Sequence, residues 1–273
     1  MAFTPTTLSL AEIDCFHTDG FVIVRGAFSP SDARAMQDAW WAELAQVHGI
    51  ARENRETWRS ILGDLKQAKT SALQHAIATP RVKGVIDDLL GEGAWAPPRE
   101  WGRVLTTFPE PGPWDVPTGL WHWDSPVDWH LKTLNALFVV SLIGAVAPRA
   151  GGTLVLSGSP RLLARHEATE GPMMRKGEYA ARRESFYRSH PWLMALTGNA
   201  PSPADRIAAF MQEGAEIDGV RARVVELTGE PGDMVFCHPT IAHCVAPNRG
   251  VEPRFMRIKQ QLMTRRGQAL LKG

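Results

Sequence analysis

Apolar residues recur at helical spacing through the first third of the chain. After residue 95 the pattern changes to short runs of β-branched and aromatic residues, punctuated by glycine and proline. Ser9-Leu-Ala-Glu12 reads as a capping box, with Leu8 and Ile13 placed as a hydrophobic staple and Gly20 as the stop. Phe21 to Val24 predicts a short buried strand ended by Gly26. A second helix opens at Ser29-Pro30 and carries Ala33, Met36, Trp40, Leu44 and Val47 as one stripe, which is core packing. Residues 51 to 75 are polar and weakly periodic, and we expect loop and helix anchored by Trp58, Ile61, Leu62 and Leu65. Thr79-Pro80 opens a further helix with Val82, Val85, Ile86 and Leu89 inward, and Gly91 closes it.

The second part reads as sheet. Trp101 to Phe108 predicts a strand with Trp101, Arg103 and Leu105 on one face. A loop with four prolines spans 109 to 118. Strands follow at Leu134 to Ile143 and Thr153 to Leu156, with a glycine turn between them. Segment 161 to 216 breaks the pattern: it is charged and helix-prone, with a cap signal at Ser202-Pro-Ala-Asp205 before Ile207, Phe210 and Met211. Sheet resumes at Val220 to Leu227, at Met234 to His238 after the turn Glu230 to Asp233, and at Arg254 to Met263. Helices first, then about eight short strands with a helical insertion, predict a mainly β protein with α additions. The expected core is a double-sheet jelly roll (a cupin-like double-stranded β-helix) with the N-terminal helices on one sheet. No linker divides the chain, so 1–273 reads as one domain, mostly helical over 1–95, with 161–216 as an insertion placed to act as a substrate lid.

Composition narrows the function classes. Lysine plus arginine total 30 against 29 acidic residues, which removes the electrostatic case for nucleic acid or an anionic membrane. The longest apolar run, Leu137 to Ala147, is too short to span a bilayer. The N-terminus lacks the basic and apolar regions of a signal peptide, and three cysteines form no C-x-x-C pair. A reduced, cytoplasmic protein acting on a small molecule is the expectation. Cys237 and Cys244 read as buried thiols.

The candidate chemistry centres on Gly119 to Ser125. His122 and Asp124 are two residues apart, so an extended backbone puts both side chains on one face and turns Trp121 and Trp123 away. An imidazole and a carboxylate converging there make two-thirds of a facial triad for ferrous iron. Taken alone, such a pair is more often an exposed ion pair or a structural hydrogen bond than a metal site. Two histidines, His238 and His243, are candidates for a third ligand. Arg254 opens a strand on which Arg254, Met256, Ile258 and Gln260 share a face. An inward guanidinium there needs a partner, and a dicarboxylate would supply one. Asp128 and His130 read as substrate-facing or merely solvated.

These motifs together resemble the phytanoyl-CoA dioxygenase family of Fe(II)- and 2-oxoglutarate-dependent oxygenases. His122-x-Asp124 is similar to the family's proximal ligand pair. Gly151 to Ser159 is similar to its glycine turn, strand and Gly-Ser turn. Gly232-Asp-x-Val-Phe-x-His-Pro, followed by His243, Asn248 and Arg254, is similar to its distal segment. The opening, Asp19 to Arg25 between two capped helices, also resembles the family's start. The resemblance implies that His122, Asp124 and His243 ligate iron, with Arg254 on the distal carboxylate of 2-oxoglutarate and O2 as the second co-substrate. It implies hydroxylation with release of succinate and carbon dioxide. The carboxylate at 124 sets the chain apart from related halogenases, which carry Ala or Gly there. The family serine two residues after the distal histidine is Val245 here, and the histidine that ends the Gly-Ser turn is Pro160. Asn135 and Thr153 are expected as further polar contacts to the co-substrate. Trp101, Arg103 and Trp123 are expected at the substrate pocket. Two alternatives stay open: a cupin-like metal enzyme that does not use 2-oxoglutarate, and a catalytically inactive jelly-roll binding protein.

Overall fold

The computed structural model describes residues 5–61, 65–124, 134–170 and 178–270. Helix α1 (Leu10–Asp19) is held by both halves of the capping box: Glu12 N donates to Ser9 Oγ, and Ser9 N donates to Glu12 Oε2 at 2.7 Å. Gly20 ends it in the left-handed region at φ 90° and delivers the chain into β1 (Phe21–Val24). Helix α2 (Pro30–His48) buries Ala33, Met36, Trp40 and Leu44. Val47, expected on the same stripe, is 55% exposed in the last turn before the Gly49 cap. The weakly periodic stretch resolves into two 3₁₀ turns (Arg55–Thr57 and Ala72–Ile77) around α3 (Lys66–Thr70). The buried Glu43 carboxylate of α2 accepts from Gln67 N and Ala68 N, which caps α3 from a neighbouring helix. Helix α4 (Pro80–Leu90) starts at the Thr79 cap as expected.

The remaining strands are β2 (Arg103–Thr107), β3 (Ala136–Leu142), β4 (Thr153–Ser157), β5 (Ala215–Ile217), β6 (Val220–Glu226), β7 (Met234–Cys237), β8 (His243–Val245) and β9 (Arg254–Met263). They form two antiparallel sheets, ordered β1-β7-β3-β9-β2 and β5-β6-β4-β8. Neighbours far apart in sequence, spread over two facing sheets, make the jelly roll that the pattern predicts. Strand β3 is buried on both faces. Leu137 and Val139 meet the N-terminal helices with Trp40, Phe236 and Phe255, while Phe138 and Val140 meet Val155 and Met256 between the sheets. Burial on both sides is why this strand reads as an unbroken apolar run. A third cluster joins the outer face of the smaller sheet to the insertion, with Leu154, Leu156, Phe186, Leu193 and Phe210 at its centre.

The insertion folds as α5 (Ser159–Glu170), α6 (Tyr179–Arg188), α7 (Pro191–Leu196) and a π-helical turn (Ala208–Glu213). Sheet resumes at Ala215, earlier than expected. Strands β5 and β6 form a hairpin whose turn residues, Asp218 and Gly219, both have positive φ, the conformation tight hairpins need. The cap also differs from expectation. Ala208 N donates to Asp205 Oδ1, while Ser202 Oγ accepts from buried Arg206. Arg206 in turn donates to the carbonyls of Val116, Ala195 and Leu196, tying the insertion to the proline-rich loop. An α5–α8 numbering is completed by the C-terminal α8 (Arg265–Leu270). Among the described residues, no helix is long and apolar enough to cross a membrane.

Trp101 does not share a face with Arg103 and Leu105. Gly102 sits at φ 98° between them and interrupts the alternation, so Trp101 packs with Val104 in the helix-side core. A Cβ at Gly102 would lie 2.1 Å from the Ile258 carbonyl oxygen. Gly102→Ala combines that backbone clash with an unfavourable φ, and we expect a loss of about 3 kcal/mol in urea unfolding. A loss below about 0.5 kcal/mol would show that the strand ends shift freely.

Candidate active site

The proline-rich loop is pinned before it reaches the candidate ligands. Arg249 donates to the carbonyls of Pro113 and Glu110, and the Trp121 indole donates to Pro117 O at 2.9 Å. His122 then pairs with His243 through two backbone hydrogen bonds of 3.0 and 2.8 Å, adding one residue of strand beside β8. Because that residue is extended, Trp121 and Trp123 point into the insertion-side core, and His122 and Asp124 point the other way.

The three side chains converge. His122 Nε2 lies 3.7 Å from Asp124 Oδ1, and His243 Nε2 lies 3.5 Å from Asp124 Oδ2. One ligand atom from each lies within 4.8 Å of the others, close enough to share a metal ion. Both rings have their second nitrogen engaged by a carbonyl: His122 Nδ1 by Leu120 O at 2.7 Å and His243 Nδ1 by Ile241 O at 3.0 Å. A carbonyl only accepts, so each Nδ1 carries the proton and each Nε2 presents its lone pair to the common point. Burial, reinforced by the neighbouring His243, lowers the His122 pKa and favours the neutral ligand form. Burial alone would raise the Asp124 pKa. With protons on the two Nε2 atoms, hydrogen bonding and charge from His243, then charge from His122 and a hydrogen bond from Gln260, outweigh it and lower the Asp124 pKa; a metal ion would supply the positive charge in place of those protons.

Arg254 is 2% exposed at the start of β9. Its Nη2 donates to Thr107 Oγ1 at 2.5 Å, whereas Nε and Nη1 have no hydrogen-bond partner among the described residues. Glu252 is engaged elsewhere, with Arg55 at 2.9 Å. Burial pulls the Arg254 pKa down to about 10, a measure of how poorly the protein alone solvates this cation. Asn248 prepares the strand: it donates to Thr107 O and Glu252 O and accepts from Gly250 N, fixing the turn before Arg254. Thr153 is buried with its hydroxyl 3.8 Å from Met256 Sδ, on the Arg254 face of β9. Val245, opposite Thr153 in the ladder and two residues after His243, is 43% exposed on that side. Asn135 is buried at the entry to β3, where its carbonyl accepts from Thr264 N.

Several expected residues sort differently. His238 lies outside the metal-capable cluster. Its Nδ1 is taken by Thr240, its ring packs near Phe16, and burial drops its pKa to about 4. Arg103 lines a cavity of about 410 Å³ that also reaches Asp124 and Gln260. Trp101 and Trp123 do not line it: Trp101 belongs to the helix-side core, and Trp123 packs edge-on against Tyr179 and Phe186. Asp128 and His130 fall outside the described residues. Cys237 and Cys244 are buried free thiols whose pKa burial raises.

Three supporting residues were not singled out from sequence. Phe138 stacks on the His243 ring at 4.6 Å with an interplanar angle of 17°. Gln260 hydrogen-bonds Asp124, and its place on the Arg254 face of the strand was a usable signal. Tyr179 of α6 accepts from Trp123 N at 3.2 Å and donates to Trp123 O. The insertion therefore buttresses the His122–Asp124 segment from behind, and none of its described residues lines the cavity beside Asp124.

Residues 16–256 match the family model described as Phytanoyl-CoA dioxygenase. A search of curated proteins found no significant match. Among solved structures, the chain is similar to the non-heme alpha ketoglutarate dependent carbocyclase SnoK from nogalamycin biosynthesis. The two are 18% identical with a TM-score of 0.52, over 94% of this chain and 85% of that one. It is also similar to EctD from S. alaskensis with bound Fe, at 18% identity and a TM-score of 0.53, over 94% and 78% of the two chains. AviO1 from Streptomyces viridochromogenes Tue57 is 13% identical with a TM-score of 0.53, over 93% and 95%. At these identities the likeness establishes the jelly-roll fold.

Proposed function

The chain belongs to the phytanoyl-CoA dioxygenase family, and on that premise we propose that it is an Fe(II)- and 2-oxoglutarate-dependent oxygenase. In this reading residues 1–273 form one oxygenase domain that hydroxylates a small molecule with release of succinate and carbon dioxide. The observation that carries the reading is Arg254, a buried guanidinium with two unpartnered nitrogens in the same two-sheet interior as the His-Asp-His cluster. A His₂-carboxylate set suits ferrous iron, and an orphaned planar cation suits the far carboxylate of a dicarboxylate co-substrate. The residues present therefore fit both groups. A cupin-like enzyme without 2-oxoglutarate would leave Arg254 unpaired.

When bound, iron and 2-oxoglutarate supply the oxygen activation that hydroxylation needs. The chain's own work is placement. His122 and His243 offer their Nε2 atoms in fixed tautomers, because the Leu120 and Ile241 carbonyls hold the Nδ1 protons. Gln260 fixes the Asp124 carboxylate, and Phe138 fixes the plane of His243. Arg254 orients the co-substrate through its fork, with Thr153 and Asn135 as further polar contacts. Trp121 and Trp123 close the back of the site against water.

Tyr179 acts on iron only through the backbone between two ligands. Tyr179→Phe should raise the iron dissociation constant about tenfold while cooperative unfolding persists. An unchanged constant would make the contact purely architectural. The overall reading is tested by turnover: protein supplied with Fe(II), 2-oxoglutarate and oxygen should release succinate, and His122→Ala should not. Succinate release that persists in His122→Ala would remove this site from the reaction.

A further inference from the structure

A second cavity, of about 590 Å³, lies within the insertion, and none of the three convergent ligands lines it. Leu162, Phe186, Leu193 and Ile217 give it apolar walls, drawn from α5, α6, α7 and the β5–β6 hairpin. That volume is in the range that holds a small organic molecule. The charges among its described lining residues are balanced. Arg165 and Arg188 stand against Glu170 and Asp218, and Arg188 already pairs with Glu184 at 2.9 Å.

His166 also lines the cavity, and its Nε2 is buried with no hydrogen-bond partner among the described residues. Its ring meets Phe186 edge-on, with centroids 5.8 Å apart. Arg182, one turn before Phe186 on α6, has a buried Nη1 that is likewise unpartnered among the described residues. Burial lowers the His166 pKa, with Glu170 opposing the shift and Arg182 adding to it, so the neutral ring is favoured. A buried imidazole nitrogen left unbonded is unfavourable. A hydroxyl answers it in either tautomer, as donor or as acceptor.

Phe186 links this cavity to the metal centre. It lines the cavity and packs edge-on against Trp123, with centroids 5.7 Å apart and an interplanar angle of 88°. Trp123 sits between His122 and Asp124, two of the three convergent ligands. A molecule filling the cavity restricts Phe186, and through it the segment that presents both ligand atoms. We propose that this cavity is a second ligand site, for an uncharged molecule with an apolar body and a hydroxyl group, whose occupant steadies the iron ligands through Phe186 and Trp123. The site adds to the oxygenase reading without resting on it, since the coupling runs to the metal and not to the co-substrate.

The test uses the whole chain without oxygen or 2-oxoglutarate. The probe is 2-naphthol, with naphthalene and 2-naphthoate as controls of similar shape. By calorimetry, 2-naphthol should bind about fivefold tighter than naphthalene, and His166→Phe should abolish that difference. Ser185→Trp places an indole on the α6 wall of the cavity and should abolish 2-naphthol binding, with cooperative unfolding retained. Iron affinity is then measured by competition with a chromogenic chelator. Saturating 2-naphthol should tighten Fe(II) binding about fivefold in wild type, and Fe(II) should tighten 2-naphthol binding by the same factor. No binding of 2-naphthol, or binding that survives Ser185→Trp, overturns the proposal. So does tighter binding of 2-naphthoate than of 2-naphthol, or an iron affinity that the probe leaves unchanged.

Discussion

Arg254→Ala should weaken 2-oxoglutarate binding at least about thirtyfold, because truncating one member of a buried charge pair costs about 2–5 kcal/mol. Arg254→Lys should recover only part of that loss: an ammonium keeps the charge but not the planar fork. The same reading predicts an opposite effect on stability. Without co-substrate, Nε and Nη1 of Arg254 are buried and unpaired, so Arg254→Met should leave the unliganded protein as stable as wild type, or more stable by about 1 kcal/mol. Added 2-oxoglutarate should then raise the melting temperature of the metal-loaded wild type and leave that of the variant unchanged. A variant that binds normally would move the carboxylate site elsewhere in the chamber. Isothermal titration of the two iron-loaded proteins measures the difference.

His243→Ala should be the more damaging change at the metal. It removes one of three convergent ligand atoms and the ring that stacks on Phe138. Iron affinity should fall by more than about a hundredfold, beyond the range seen when a supporting residue alone is lost. The fold should persist, because the contact with His122 at this position is made by backbone atoms, with 3.0 and 2.8 Å hydrogen bonds. His238→Ala is the matched control. It removes a ring that packs near Phe16 and hydrogen-bonds Thr240, and should lower stability while leaving iron stoichiometry at wild-type level. Metal analysis after desalting, with circular dichroism on the same samples, separates the two. Iron retained by His243→Ala and lost by His238→Ala would exchange their roles.

What the sequence made legible was local. Capping boxes, proline at helix starts and glycine stops act within a few residues, so α1, α2 and α4 could be placed from spacing alone. The inward face of β9 was legible for the same reason, since strict alternation carries Arg254, Met256, Ile258 and Gln260 to one side. The errors arose where one residue resets a period or a partner comes from far away. Gly102 flips the face of Trp101, a break that composition around it does not announce. Asp205 caps in place of Ser202 because Arg206 claims the serine hydroxyl. Spacing left His238 and His243 both open as ligands; what separates them is Thr240 engaging one ring and Phe138 stacking on the other. Phe138 and Tyr179 meet the site only through tertiary contacts across more than fifty residues of chain, so no window of sequence displays them.

One titration probes the iron site and the co-substrate site together. The protein is loaded with Fe(II) without oxygen, and 2-oxoglutarate is added while the visible spectrum is followed for the weak charge-transfer band of the chelate. The band should grow to saturation in wild type, weaken strongly in Arg254→Ala, and be absent in His243→Ala. Iron binding with no band at any 2-oxoglutarate concentration would contradict the assignment of Arg254 to a co-substrate and favour a metal enzyme of another kind.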